Sequence, residues 1–375
     1  MRILHVVPTY LPATRYGGPI QSVHGLCKAL VELGHEVHVY TSSLDGDGRL
    51  NVPEGTPVIL DGVQVWYFRC RLIALCWLPS MRARLNASMA DFDAVHLHSV
   101  FLWPMAKAAR VARRHAVPYV VSPRGMLVPE LIARRSAIAK RAWIYLIERR
   151  TLRQAQAIHV TSPLEADDLR RCNLDLAPIA VLPNGTDIQT DFAREPRRNQ
   201  WLFLGRLSWK KNLSALIDAL AMVESIELIL AGPDEEGIAA QLLDRAAQAN
   251  CSARVRWIGE VDGPAKRELL RTAECLVLPS LNENFGNVVV EALAQACPVL
   301  VTPQVGARHI VEASAGGMIA DGTSAQSLAH AMRELNADPA RLTDLGIAGQ
   351  RYVREHLSWV RVAADMSTIY RNNAR

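Results

Sequence analysis

The stretch PSLNENFGNVVVEALAQACPV, from Pro279 to Val299, limits the fold of this chain more than any other. The short apolar run Cys275 to Leu278 ends at Pro279 and Ser280, a polar loop follows, and from about Gly286 apolar residues recur at helical spacing. The order is strand, loop, helix. A helix that starts just past a strand's carboxyl end points its unpaired N–H groups, and the positive end of its dipole, into the crevice above the sheet, where anions bind. Glu283 in the loop and Glu291 inside the helix frame this turn, with seven residues between them. A carboxylate repels phosphate but accepts two hydrogen bonds from neighbouring hydroxyls on a ring. A sugar or a ribose meets that need.

Two glutamates eight apart occur by chance in many helices; the strand before them and the FGN loop between them make the pattern specific. The whole string, ENFGNVVVEALA followed by PVLVT, resembles the signature of the retaining glycosyltransferases of the GT-B fold, glycosyltransferase family 4. The resemblance implies an α/β architecture of two Rossmann-like domains facing an interdomain cleft. It places Glu291 on the ribose of a donor nucleotide and Glu283 over the transferred sugar, with Phe285, Gly286 and Asn287 also on the donor side.

The chain has 375 residues, half of them hydrophobic, enough for two sizeable cores. The expected division is residues 1–190 and 197–356, with 357–375 crossing back onto the first domain. The formal net charge of +5 does not by itself imply nucleic acid, and none is expected as a partner. The charge is unevenly spread: from Lys107 to Arg153 there are twelve basic residues against only Glu130 and Glu148. The seven cysteines have no metal-ligand spacing and read as free thiols in a reducing cytosol. The opening MRILHVVPTYLP is too short in its apolar run for a signal peptide and reads as a first strand. No run reaches the length of a membrane span, so the expectation is a cytoplasmic protein, at most attached to the inner membrane face.

In chain order, Ile3 to Val7 is followed by a loop with Tyr16, Gly17, Gly18 and Pro19 and a helical pattern over Ile20 to Leu33. A glycine pair there is either a tight turn or a place where backbone approaches a ligand; the resemblance puts Gly18 near the donor phosphates. Strand runs at Glu36 to Thr41, Gln64 to Phe68, Asp93 to His98, Pro118 to Val121 and Ala157 to Val160 alternate with helical stretches, implying a parallel sheet covered on both faces. Asp45-Gly46-Asp47 matches a D-x-D metal motif superficially, but it sits in a glycine-rich loop with no strand before it and reads as a turn. His98 and Arg124 lie where strands give way to loops, on the acceptor or sugar side. A lone histidine is commonly structural, and many relatives in the resembled family carry histidine at the position of Arg124. Arginine can still grip a phosphate with two bonds. Two basic stretches, Arg69 to Arg84 and Leu131 to Arg150, allow a membrane-facing surface, against the alternative of a solvated helix with an apolar stripe on the core.

The polar stretch Pro183 to Gln200 is the linker, and Trp201 to Leu204 starts a second sheet continued by Ile226 to Ala231, Val255 to Ile258, Cys275 to Leu278, Pro298 to Thr302 and Met318 to Ala320. In GRLSWKKNLSALIDAL the cations leave the first of these strands, and the resemblance assigns Arg206 and Lys211 to the donor diphosphate. The loops at Gly232-Pro233-Asp234 and Gly259-Glu260-Val261 then flank the base.

The resemblance implies a nucleoside-diphosphate sugar donor, UDP- or GDP-linked, and a hydroxyl acceptor on a glycan or polyprenyl-linked intermediate. It implies no metal or other cofactor, with Arg206, Lys211 and Glu283 carrying the chemistry. A sugar-nucleotide epimerase, a phosphorylase, an oxidoreductase and an inactive nucleotide-sugar-binding partner are alternatives. The first strand lacks a following G-x-G-x-x-G, which sets the oxidoreductase behind the others.

Overall fold

The computed structural model describes residues 1–13, 17–46, 48–73, 76–134, 136–188 and 194–372. It separates into two compact units, Met1–Gly185 with Trp359–Arg375, and Thr186–Ser358. Tyr16, Asp47, Arg135 and the middle of the linker lie outside the described residues.

The first unit contains β1 (Arg2–Val6), β2 (Glu36–Ser42), β3 (Leu44–Asp45), β4 (Gly48–Arg49), β5 (Pro57–Leu60), β6 (Val63–Phe68), β7 (Ala94–His98), β8 (Tyr119–Ser122), β9 (Ala157–Val160) and β10 (Ile179–Val181). Eight of these form one sheet in the order β10-β9-β8-β7-β1-β2-β6-β5, parallel except for β5 against β6. β7, AVHLH, is buried at every residue, as a parallel strand with helices on both faces must be. The order reverses between β1 and β7, so the loops leaving these two strands flank the crevice where open α/β sheets bind ligands.

β5 and β10 were not expected from the sequence. Both are edge strands, apolar in sequence (PVIL and IAV) but only four and three residues long and half-exposed, too short to stand out as strands. The expectation of no strand beside Asp45-Gly46 is corrected too: Asp45 pairs with Gly48 in the small β3–β4 hairpin, with Gly46 at φ 62°. The last helix, Trp359–Arg371, packs in this unit, its indole between two glycines. A Cβ on Gly25 would come within 2.3 Å of the Trp359 ring and one on Gly185 within 2.7 Å.

The second unit holds β11 (Gln200–Leu204), β12 (Glu227–Ala231), β13 (Val255–Trp257), β14 (Cys275–Leu278), β15 (Val299–Val301) and β16 (Gly317–Ile319), all parallel in the order β13-β12-β11-β14-β15-β16. Trp201 and Phe203 of β11 and the whole of β14 are fully buried at the centre of its core. Here the order reverses between β11 and β14. Gly232, just past β12, has no room for a side chain: a Cβ would stand 2.0 Å from the Gly205 carbonyl oxygen. Gly232→Ala is expected to cost about 2 kcal/mol or more, lowering the melting temperature of this unit by roughly 5 °C. An unchanged calorimetric transition would show that the two loops can separate freely.

Candidate active site

Two loops meet at the reversal point of the second sheet. β11 leaves through Gly205-Arg206, and a short 3-10 turn, Trp209–Lys211, with Asn212 at φ 56°, feeds the helix Leu213–Ala221. β14 leaves through Pro279 toward the helix Asn287–Ala294, capped by Gly286 at φ 93°. The Leu281 N–H donates to the Lys210 carbonyl at 2.8 Å and ties the loops together. The Lys211 ammonium donates to the Glu283 carboxylate in a close ion pair.

Gly286 has to be glycine for two reasons. Its φ is left-handed, and a Cβ would lie 3.1 Å from the Leu278 side chain and 3.3 Å from Glu283 Cγ. The loop is braced from behind by residues 304–307. The Glu283 N–H donates to Gln304 O, Gly306 N–H to Glu283 O and Ala307 N–H to Phe285 O, at 3.1, 2.9 and 2.7 Å. Glu283 is thereby fixed by its main chain as well as by Lys211. The Phe285 ring is 3% exposed in the unit's core, so only its backbone can reach a ligand.

Glu291 projects from the second turn of the Asn287 helix, about 6 Å along the axis from its first residue. Its carboxylate pairs with Lys266 at 2.6 Å, a residue of the helix Gly263–Thr272 that sequence reasoning passed over. Arg206, half-exposed, pairs with Glu235 at 3.1 Å, and the Trp209 N–H donates to Glu236 at 2.9 Å. Glu235 and Glu236 were also missed. Their signal was present in GPDEEG, where three carboxylates, Asp234, Glu235 and Glu236, follow a strand's carboxyl end.

At the first unit's reversal point, Gly18 opens the helix Gly18–Glu32, and the preceding Gly17 takes φ 67°. His98 ends β7, and Arg124 follows β8 with φ 56°. Arg124 donates through Nη2 to His98 Nδ1 at 3.1 Å and through Nη1 to Asn184 Oδ1 at 3.2 Å. Its Nε has no hydrogen-bond partner among the described residues. Burial pulls the guanidinium below its ordinary range, while the Glu165 carboxylate opposes this. Glu165 in turn accepts from Gly125 N–H at 2.7 Å and Thr161 N–H at 2.8 Å, holding the Arg124 loop in place.

Because guanidinium can only donate, the direction of the chain beneath Arg124 follows. His98 Nδ1 accepts, so its Nε2–H donates to His5 Nδ1 at 3.0 Å, leaving His5 Nε2 protonated and without a partner. A second chain is anchored at the Leu182 carbonyl, which must accept from His159 Nε2 at 2.9 Å. Ser122 then donates to His159 Nδ1, His96 Nε2 donates to Ser122, and the Tyr370 hydroxyl donates to His96 Nδ1, each at 2.7 Å. Burial lowers all four histidines, His5 and His159 to about 3. His98 therefore meets a ligand only through Arg124. Nitrogens of His5, His96 and His98 lie within 4.8 Å of one another, but most are spent on these hydrogen bonds and the Arg124 charge opposes a cation there.

Two family models match the chain. Residues 17–185 match the glycosyl transferase 4-like domain and residues 186–352 match the glycosyl transferases group 1. The chain belongs to the group 1 glycosyltransferases. This glycosyltransferase is 28% identical to D-inositol 3-phosphate glycosyltransferase of Xylanimonas cellulosilytica, over 99% of this chain and 95% of that one. It is 27% identical to glycogen synthase of Mycobacterium tuberculosis, over 99% and 94%. Among solved structures, sucrose-phosphate synthase of Thermosynechococcus elongatus superposes with a TM-score of 0.76 at 21% identity, covering 99% and 98% of the chains. Anabaena HepE in complex with UDP and glucose superposes with a TM-score of 0.75 at 19% identity, covering 98% of each. The glycosyltransferase has the GT-B fold of two Rossmann-like units. Among the described residues, no helix is long and apolar enough to cross a membrane.

Proposed function

We propose that this glycosyltransferase moves a sugar, with retention of anomeric configuration, from a nucleoside-diphosphate sugar to a hydroxyl of a lipid-linked or polysaccharide intermediate at the inner face of the cytoplasmic membrane. The observation that carries the reading is the meeting of Lys211, Glu283 and the Gly286-capped helix at one reversal point. Departure of the nucleotide leaves negative charge on the diphosphate and positive character on the sugar. Lys211, Arg206 and the amides opening the Asn287 helix take up the first. Glu283 orients the sugar hydroxyls and offsets the second. Glu291 accepts from the donor ribose, and Lys266 holds its carboxylate in position. The UDP and glucose bound by HepE support a uridine donor, with guanosine the other choice. In this reading Gly18 is assigned to the donor phosphates, and Arg124, with His98 acting through it, to the sugar or acceptor. No step is assigned to a metal.

The test is titration of candidate nucleotide sugars, with initial rates of transfer. Glu291→Ala is expected to weaken donor binding by roughly tenfold to a hundredfold, the loss of a charge-assisted bidentate contact. Its turnover at saturating donor should change far less. Unchanged donor affinity would remove Glu291 from the ribose.

A further inference from the structure

The first unit carries a second cation-rich feature, far from its reversal point along the chain's path. Helix Trp103–Arg114 returns from the carboxyl edge of β7 to start the parallel β8, so its last turn lies toward the sheet's amino edge. Beside it is a cleft of about 650 Å³ lined by Arg82, Lys107, Arg110, Arg113, Arg114 and Arg150. No carboxylate lines it, and none of the six makes an ion pair among the described residues. The polar partners they have are neutral: Arg113 donates to the Tyr119 hydroxyl at 3.1 Å and Arg150 to Gln154 at 3.2 Å. Burial, then the charges of Arg82, Arg110 and Arg114, lower the Lys107 ammonium. Six cations crowded without counter-charge repel one another, and an anion between them relieves that repulsion.

The neighbouring surface specifies the kind of anion. The helical segment that supplies Arg150 also exposes Ile138, Tyr145 and Leu146, at 85%, 70% and 73%. Its first part, Ala137–Trp143, has no buried residue. Ile132 and Ile144 of the Leu131 to Arg150 stretch do pack on the core, but Ile138, Tyr145 and Leu146 face out. A free phosphate or diphosphate would leave them in water, whereas cations beside exposed apolar groups match the layered chemistry of a bilayer surface. The two basic stretches of the sequence converge at this place, since Arg82 comes from one and Leu146 and Arg150 from the other. Trp77, the tryptophan of the first stretch, packs on Trp103 with ring centroids 5.2 Å apart.

We propose that this cleft receives the phosphorylated headgroup of an anionic lipid in a bilayer, with Ile138, Tyr145 and Leu146 set into the outer layer of the membrane. The inference goes beyond the transfer reaction and uses none of the donor-site residues.

The experiment is co-sedimentation of the full chain with phosphatidylcholine vesicles, with and without phosphatidylglycerol. The wild type is expected to bind only the phosphatidylglycerol vesicles, and Arg110→Glu with Arg114→Glu to weaken that binding at least roughly tenfold. Arg351→Glu with Arg354→Glu, an equal charge change on exposed residues of the second unit, should leave it nearly unchanged. Ile138→Ser with Tyr145→Ser, neither of which lines the cleft, should weaken vesicle binding while sparing binding of inorganic pyrophosphate. Equal losses in the cleft and control variants would reduce the attraction to net charge and overturn the proposal. Full vesicle binding by the serine variant would show a free-anion site and overturn the lipid assignment. Failure of the wild type to bind phosphatidylglycerol vesicles would overturn both.

Discussion

Lys211→Ala is expected to lower turnover by roughly a hundredfold or more, about 2.7 kcal/mol of transition-state stabilisation, with a smaller effect on donor affinity. Lys211 is the cation paired with Glu283. In the ground state the diphosphate already carries its charge and can be held by Arg206 and the helix amides. The additional charge that appears as the sugar leaves needs a donor fixed in advance, and Lys211 is fixed by Glu283 and by the Leu281–Lys210 hydrogen bond. Single-turnover rates at saturating nucleotide sugar would check this. A variant that loses affinity and turnover in parallel would make Lys211 a simple binding residue, and one that loses neither would remove it from the site. Glu283→Gln is the companion measurement, because it removes the negative charge over the sugar while keeping an amide oxygen that can still accept from Lys211.

Mild acid is expected to unfold the first unit before the second. His5, His96, His98 and His159 are buried neutral, all shifted down from an unfolded value near 6.5. A base whose folded value is depressed contributes its full stability above the unfolded value and loses it as the pH falls, because the unfolded chain takes up the proton first. For His5 and His159, at about 3, the loss from pH 6.5 to pH 5 is about 3 kcal/mol for the two together. His96 and His98 add to it. Glu148, raised by burial, acts in the opposite direction but is a single group. Against an ordinary stability of about 5–15 kcal/mol, this is a large fraction. Calorimetry at pH 7.5, 6 and 5 should show one transition falling steeply while the other moves little, and His159→Gln should flatten that slope. Transitions that keep pace with each other would mean the histidines are charged in the folded unit.

Much of the second unit was legible because its strands are apolar runs buried on both faces, and such runs leave a plain trace in sequence. Cys275–Leu278 was read to the residue, and Trp201–Leu204 missed only Gln200. The edge strands β5 and β10 left a weaker trace: they are apolar too, but with only four and three residues, and with Pro57 and Pro178 where they begin, they do not stand out from a loop. For the site, the chain alone indicated that Arg206, Lys211, Glu283 and Gly286 each follow a strand's carboxyl end. That is local information. That Lys211 bonds Glu283 across 72 residues, that Lys266 answers Glu291, and that Glu235 and Glu236 hold the Arg206 loop are decided by strand order, because β11 neighbours both β12 and β14. The same holds for the histidines. Each is an unremarkable polar residue in its own strand, and only the pairing of β1, β7, β8 and β9 stacks them into directed chains beneath Arg124. By itself the sequence determined where strands end and which charges lie there; tertiary structure decided which of those charges meet, because contact across a parallel sheet depends on neighbours far apart along the chain.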